Sequence, residues 1–515
     1  MRSTRATLPS VFRSLRFLSV VVALCVLLPQ SNASTAPPPP VKPRVIVGAT
    51  VIDGSGRPGF RANVRVEGDR IARVGRFAPA PGDEIIDARG MVVAPGFIDI
   101  HNHSEEGLAS EPRATSQVSQ GITTLAVGPD GDSPWPIADY LRAREQKPSA
   151  VNVLAFVGHA TVRERVMGKD FNRAATAREI GLMARLVEQG MREGAFGLST
   201  GLEYDVGHPS TTEEVIELAR VASRHRGIYM SHIRDEADEV MGALREAIRI
   251  GREAHLPVQI SHIKMGTVSV WGRAPQAVAL VNSARASGLD VTADCYPYDA
   301  WASTITVLVP SRPHDDRAAV HKALADVGGA GNILITSCKA HPDYEGKTLE
   351  EVAREHKVQP EEAYTQIVKD GGASIVCRSM KESDIREFYR QPWVMVSSDG
   401  GIGARHPRGA GTFPRVLGSF VRERRWLSLA EAVRKMTSAP ARRLGLTDRG
   451  LIRRGMKADL VIFDPQRVID RSTFKEPQLL STGVERVLVN GQPVWEHDHT
   501  TGRLPGLVIR RKSLR

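Results

Sequence analysis

Four histidines and one aspartate have the spacing that could hold a metal ion. His101 and His103 flank Asn102 directly after the apolar run 95–100. Residues i and i+2 of an extended chain point to one face, so both imidazoles can converge on one ion. His232 and His262 stand in matching frames, Met230-Ser231-His232-Ile233-Arg234 and Ile260-Ser261-His262-Ile263-Lys264. Asp399 follows Met395-Val396-Ser397-Ser398. A single strand-end histidine is more often a packed, hydrogen-bonded residue than a ligand, and an Asp-Gly step is more often a turn. All five together, each closing an apolar run, make a specific set. Imidazole and carboxylate donors suit zinc, and a bound ion of that kind activates water for hydrolysis. No Gly-x-Ser-x-Gly elbow for a serine nucleophile is present.

The elements that must position these side chains are legible as an alternation. Apolar runs expected as strands lie at 96–100, 122–127, 153–157, 195–199, 228–231, 258–261, 291–293 and 394–397. Amphipathic stretches at 177–190, 212–225 and 238–254 lie between them. Eight strands with intervening helices predict an α/β fold, a (β/α)8 TIM barrel over 95–446 with its reactive groups at the C-terminal strand ends. The stretch 299–393 is too long for a loop and has helical patterns at 317–326, 349–357 and 361–369. It reads as a lid-like insertion between strands 7 and 8. On either side, 44–94 and 447–495 carry short β-branched runs broken by turns such as Asp53-Gly54 and Asn490-Gly491. Together they predict one flanking, discontinuous β-sandwich.

Composition narrows the class. The chain has 515 residues, 41% hydrophobic and 25% charged, which excludes wholesale disorder and a polytopic membrane protein. A net charge of +11 and a pI near 9.6 invite a nucleic-acid reading. The excess is terminal, however: Arg2, Arg5, Arg13 and Arg16 begin the chain, and Arg510, Arg511, Lys512 and Arg515 end it. With 5% aromatic residues and no basic run in the body, no nucleic-acid partner is expected.

The N-terminal arginines precede an apolar run, 17–28, and the small residues Ser31-Asn32-Ala33, the pattern of a signal peptide over 1–33. The run is short for a span, so no stable membrane insertion is expected after cleavage, and the protein is expected in the periplasm. A Pro-rich linker, 34–43, follows, and 496–515 reads as a C-terminal segment with a solvated basic tail. Cys295, Cys338 and Cys377 allow one disulfide without requiring it.

Longer motifs around the candidate ligands carry a resemblance. They are Ala94-Pro95-Gly96-Phe97-Ile98-Asp99-Ile100-His101-Asn102-His103 and Gly197-Leu198-Ser199-Thr200-Gly201-Leu202-Glu203-Tyr204. Ala293-Asp294-Cys295-Tyr296-Pro297-Tyr298, Gln391-Pro392-Trp393-Val394-Met395, Ser398-Asp399-Gly400 and Gly455-Met456-Lys457-Ala458-Asp459-Leu460 follow. These resemble the amidohydrolase superfamily and, more closely, its N-acyl-D-amino-acid deacylase (D-aminoacylase) branch. The resemblance implies Zn2+ as one or two ions, other divalent metals being compatible. His101 and His103 with Asp399 would hold one ion, and His232 with His262 the other.

A bridging ligand is then needed. The branch carries a cysteine in a Gly-Asn-Cys-Gly motif after the second strand, where this chain has Gly128-Pro129-Asp130-Gly131. Before the fourth-strand tyrosine the branch has an apolar residue, where this chain has Glu203. Glu203 is therefore expected to bridge, with Asp130 the second choice. Asp399 would act as general base and then acid. Lys264 and Tyr204 match positions for the substrate carboxylate, and Tyr298, Ser303 and Arg408 are further substrate candidates. His159, ending the third strand, is expected to support the ligands or face the substrate.

The expected activity is hydrolysis of N-acyl-D-amino acids to a carboxylate and a free D-amino acid. A dipeptidase or cyclic-amide hydrolase of the same superfamily is the alternative, and the expected partner is a small N-acyl amino acid or dipeptide-like substrate. A catalytically dead binding protein on the same barrel is disfavoured by the retained set of donors.

Overall fold

Period-2 alternation in a few short strands joins the two ends of the chain. The computed structural model describes residues 42–309 and 314–511; the expected signal segment 1–33 and most of the expected linker lie outside them. Strand Val92–Pro95 pairs antiparallel with Leu460–Phe463, matching Val93 with Ile462 and Ala94 with Val461. Val93, Leu460, Ile462 and Leu488 point one way, into a core with Ile46, Val64 and Ile86 of a second sheet. Val92, Ala94, Val461 and Phe463 point the other way, into the main core. One sheet thus serves as both half of a β-sandwich and a cover for the barrel. It runs from Phe60–Arg61 through Thr50–Val51, Val92–Pro95, Leu460–Phe463 and Val484–Val489 to Gln492–Glu496 and His499–Thr500. Opposite it lies a four-stranded sheet built from Arg44–Val47, Asn63–Glu67, Arg70–Gly75 and Glu84–Asp87.

The barrel strands are Phe97–Asp99, Ile122–Val127, Asn152–Ala155 continued by Val157–Gly158, Gly197–Gly201, Ile228–His232, Val258–Ile260, Val291–Cys295 and Val394–Val396. They run parallel from first to eighth. Closure between the eighth and first strands is made by Asp399 N–H donating to His101 O (3.0 Å) and His103 N–H to Gly400 O (2.7 Å). The barrel is therefore sealed by the backbone of its candidate ligands.

Helices start and stop where local chemistry requires. Thr176 and Glu179 form a capping box on helix Ala177–Arg192, whose Met183, Val187 and Met191 recur at helical spacing on the buried face. Thr211 caps Thr212–Arg224 through its hydroxyl, which accepts from Glu214 N–H.

The insertion is smaller than expected. Strands Trp301–Thr304, Ser374–Cys377 and Ile333–Ser337 form an antiparallel sheet with its own core, including Ile305, Val320, Ile335, Leu349 and Tyr364. Helix Glu382–Arg390, by contrast, packs on helix Ala274–Ala286 and on the seventh and eighth strands, as a barrel helix should.

The C-terminal segment corrects the reading of a solvated tail. Val153 N–H donates to Leu507 O and Ile509 N–H to Val153 O, so 507–509 lies along the third strand. Arg510 pairs with Glu145, and Arg511 donates to the carbonyls of His225 and Arg226. The three described cysteines are free and buried. Among the described residues, no helix is long and apolar enough to cross a membrane.

Candidate metal centre

Two buried acids position the segments that carry the histidines. Asp99 ends the first strand and accepts from Asn102 Nδ2 (2.9 Å), Ser398 N (3.0 Å) and Ser398 Oγ (2.5 Å). It thereby fixes the His101-Asn102-His103 turn against the residue preceding Asp399. Complete burial outweighs those bonds and pushes the Asp99 carboxyl up to about 6. Asp294, on the seventh strand, accepts from the His262 N–H (2.9 Å) and Ser397 Oγ (2.6 Å) and lies 3.6 Å from His101 Nδ1.

Held in this way, the donors converge. His101 Nε2 lies 3.3 Å from His103 Nε2, 3.2 Å from Asp130 Oδ2 and 3.3 Å from Asp399 Oδ1. His103 Nε2 lies 3.5 Å from Asp130 Oδ2 and 3.3 Å from Asp399 Oδ1. Tetrahedral bonds of about 2.0–2.1 Å to zinc require donor separations of about 3.3 Å. These five separations, 3.2–3.5 Å, match those of such a site. The residues also show backbone strain: Asp130 (φ 55°), His262 (φ 33°) and Asp399 (φ 47°) all adopt the left-handed conformation that side chains disfavour.

Asp130, and not Glu203, joins this group. Its loop is pressed onto the fourth strand at two glycines. A Cβ on Gly201 would stand 2.2 Å from Asp130 O, and one on Gly131 2.7 Å from Gly201 N. Glu105 Oε1 accepts from Gly128 N–H (2.7 Å) and anchors the start of the same loop. Asp130 Oδ2 then reaches to 3.5 Å from His262 Nε2 and 4.0 Å from His232 Nδ1. Asp130 Oδ1 is buried and has no hydrogen-bond partner among the described residues. Glu203 turns outward past the end of its strand, and its Oε2 lies 2.8 Å from His232 Nε2, on the far side of that ring. The expectation that Glu203 bridges is corrected by this geometry.

His232 and His262 face each other through Nδ1 and Nε2 at 2.9 Å. Each outer nitrogen meets a carboxylate: Glu203 on His232, and Glu236 at 3.0 Å from His262 Nδ1. With both rings neutral, donation outward would turn the lone pairs of the two inner nitrogens toward one another, the state in which they could share a cation. Glu236 was not among the sequence candidates. Its signal was position i+4 from His232, in a segment too irregular for that spacing to show a shared face. Lys264 Nζ lies 2.5 Å from Glu236 and 2.9 Å from His262 Nδ1, so an ammonium occupies that outer corner.

The donors lie at one end of a cavity of about 960 Å³, which His103, Asp130, Glu203, Tyr204, His232, His262, Lys264, Asp399 and Arg408 help to line. Val307, Leu308, Ala319 and Ala323 of the insertion contribute to its wall, as does Ser303. Arg408 Nη1 holds Asp399 Oδ2 at 2.7 Å. Burial would raise the Asp399 pKa, but Arg408 and the histidines hold it well below the usual carboxylate range. Tyr204 OH lies 3.1 Å from His232 Nδ1, and burial among carboxylates keeps it protonated.

Two other expectations change. Tyr298 donates to Asp470 (3.1 Å) beneath the Arg415 guanidinium and takes no part in this cavity. Tyr296, two residues earlier, is the one beside the site, with Arg408 4.8 Å from its ring centre. His159 pairs with Glu214 (2.9 Å), which Arg163 also binds (2.6 Å). That buried cluster joins helix His159–Met167, which follows the third strand, to helix Thr212–Arg224 and does not face the cavity.

Comparison with known proteins places this geometry. The profile described as Amidohydrolase family matches residues 84–495. D-aminoacylase of Alcaligenes xylosoxydans xylosoxydans is 39% identical over 494 residues, covering 91% of this chain and 98% of that one. N-acyl-D-aspartate deacylase of the same organism is 38% identical over 491 residues, covering 90% and 94%. The crystal structure of N-acyl-D-glutamate deacylase from Bordetella bronchiseptica, complexed with zinc and a phosphonate mimic of the tetrahedral intermediate, matches with a TM-score of 0.83. It is 36% identical, over 91% of this chain and 100% of that one. A profile spanning most of the chain, and relatives aligned almost end to end, show that this chain belongs to the amidohydrolase family.

Proposed function

We propose that the protein is a metal-dependent hydrolase that cleaves N-acyl-D-amino acids to a carboxylate and a free D-amino acid. The observation that carries this reading is the convergence of His101, His103, Asp130 and Asp399, at separations zinc ligands would have, beside Lys264 and Arg408. Those four residues would hold one ion; His232 and His262 would contribute to a second. The relatives named above act on N-acyl-D-amino acids, and one was crystallised with zinc.

A bound zinc supplies Lewis acidity, which polarises the scissile carbonyl and makes water nucleophilic near neutral pH. The remaining work falls to side chains. Asp399, ionised and oriented by Arg408, takes the proton of the attacking water and returns it to the leaving amine. Lys264 and Arg408 attract the substrate carboxylate. Tyr204, still carrying its proton, donates to the oxygen on which negative charge develops.

The test is a panel of N-acetyl-D-amino acids, N-acetyl-L-amino acids, dipeptides and cyclic amides, assayed with and without zinc. Turnover confined to the D-series and lost on chelation supports the reading; turnover only of dipeptides or cyclic amides replaces it. Export to the periplasm belongs to the same proposal and is supported by the pattern of residues 1–33. An N-terminal sequence of the secreted protein beginning at Ser34 would agree with it, and retention of Met1 would not.

A further inference from the structure

We infer that Asp130 is the carboxylate shared by the two ions of this centre, making it an all-nitrogen-and-oxygen site that accepts manganese and cobalt as well as zinc. The inference deepens the metal-dependent reading above by assigning the shared ligand and the class of ion. Among the described residues, Asp130 is the carboxylate within 4.0 Å of all four histidines: Oδ2 lies 3.2, 3.5, 3.5 and 4.0 Å from His101, His103, His262 and His232. Its second oxygen is buried without a hydrogen-bond partner among the described residues, as expected of an atom reserved for an ion. The left-handed backbone at Asp130 and the glycine packing of its loop hold it there against local preference.

Glu203 takes a different role. Its Oε2 meets the outer nitrogen of His232, so it acts on the centre by orienting that ring. Cys295, the cysteine on a barrel strand, is buried with its Sγ toward Tyr296 O (3.5 Å) and does not line the cavity. The donors are then four imidazoles with Asp130 and Asp399. A shared thiolate would favour zinc and other soft ions; a shared carboxylate of the same charge moves preference toward harder ones.

Metal binding by the purified protein tests this without reference to any substrate. Equilibrium dialysis with zinc, cobalt or manganese is expected to give two ions per chain for the wild type. Asp130→Ala should retain one at most, while Glu203→Gln should retain two. The cobalt form should show no thiolate-to-cobalt charge-transfer band, whereas Asp130→Cys should show one. Asp130→Cys should also raise the zinc-to-manganese affinity ratio by about 10-fold or more. Two ions in Asp130→Ala together with loss of one in Glu203→Gln would overturn the inference, as would an unchanged zinc-to-manganese ratio in Asp130→Cys. A deacylase panel without turnover would leave these binding results standing, so the two readings fail separately.

Discussion

The carboxylate of Glu203 grips His232 from behind: Oε2 lies 2.8 Å from Nε2, while Nδ1 of the same ring faces His262 Nε2 at 2.9 Å. A proton held between Glu203 and Nε2 leaves the Nδ1 lone pair directed at the cavity, which is the tautomer a metal requires. Glu203→Leu is therefore expected to lower zinc affinity about 10- to 100-fold with an unchanged circular dichroism spectrum. Glu203→Gln, whose amide oxygen can still accept, should lose less. Isothermal calorimetry measures both, and equal losses in the two variants would count against an orienting role.

Asp399 and Arg408 form a charge-assisted pair at 2.7 Å, with the other carboxylate oxygen turned toward His101 and His103. Asp399→Asn removes the proton acceptor while keeping the shape, and kcat is expected to fall about 10²- to 10⁴-fold. Arg408→Lys keeps the charge but loses the planar fork, so its main expected effect is a higher KM. Steady-state kinetics on an N-acetyl-D-amino acid separate the two outcomes.

Protons compete with metal here. Burial and, for His262, nearby Lys264 would lower the histidine values, but the surrounding carboxylates prevail, raising His103 to about 10 and His262 to about 9. Both groups carry a proton at pH 8 in the metal-free protein. Their contribution to stability is complete below the unfolded histidine value of about 6.5 and is lost as pH rises through about 9 and 10. The melting temperature of the chelated protein should accordingly decline between pH 7 and 10. Zinc added at pH 8 must expel these protons, so the binding heat should depend on the ionisation enthalpy of the buffer. Identical heats in phosphate and Tris would contradict this.

Gly201 faces the backbone of Asp130 with no room for a side chain; a Cβ there would lie 2.2 Å from Asp130 O. Gly201→Ala must push the 128–131 loop away from the fourth strand. A stability loss of about 1–3 kcal/mol is expected, together with weaker metal binding, because the displaced carboxylate is the proposed ligand. Thermal denaturation with and without zinc would show both effects; a variant with normal metal affinity would mean that the loop is not held at this contact.

Much of this protein was legible in one dimension. The eight barrel strands, the split β-sandwich and the ends of helices such as Ala177–Arg192 and Thr212–Arg224 follow from apolar periodicity, β-branched runs and capping threonines. Those signals are local, and each residue carries its own share. His101, His103, His232, His262 and Asp399 were legible from their residue types and their place at or just past strand ends, although only His232 lies within its strand.

Tertiary structure alone decided the rest. Asp130 and Glu203 both follow a strand, yet both lie in turns, where no period sets the direction of a side chain. A left-handed residue in a loop pinned by Gly131 and Gly201 sends Asp130 inward, and the outward turn after Gly201 sends Glu203 behind His232. Tyr296 and Tyr298 differ by two positions and part company because Asp470 and Arg415, far along the chain, capture the second. The basic C-terminal residues looked solvated until the third strand offered its backbone to 507–509. The sequence by itself determined the barrel and the five strand-end donors, because strand periodicity is written locally. Which carboxylate completes the metal centre depends on how a loop from one strand packs against the end of another, and only the folded chain brings those two together.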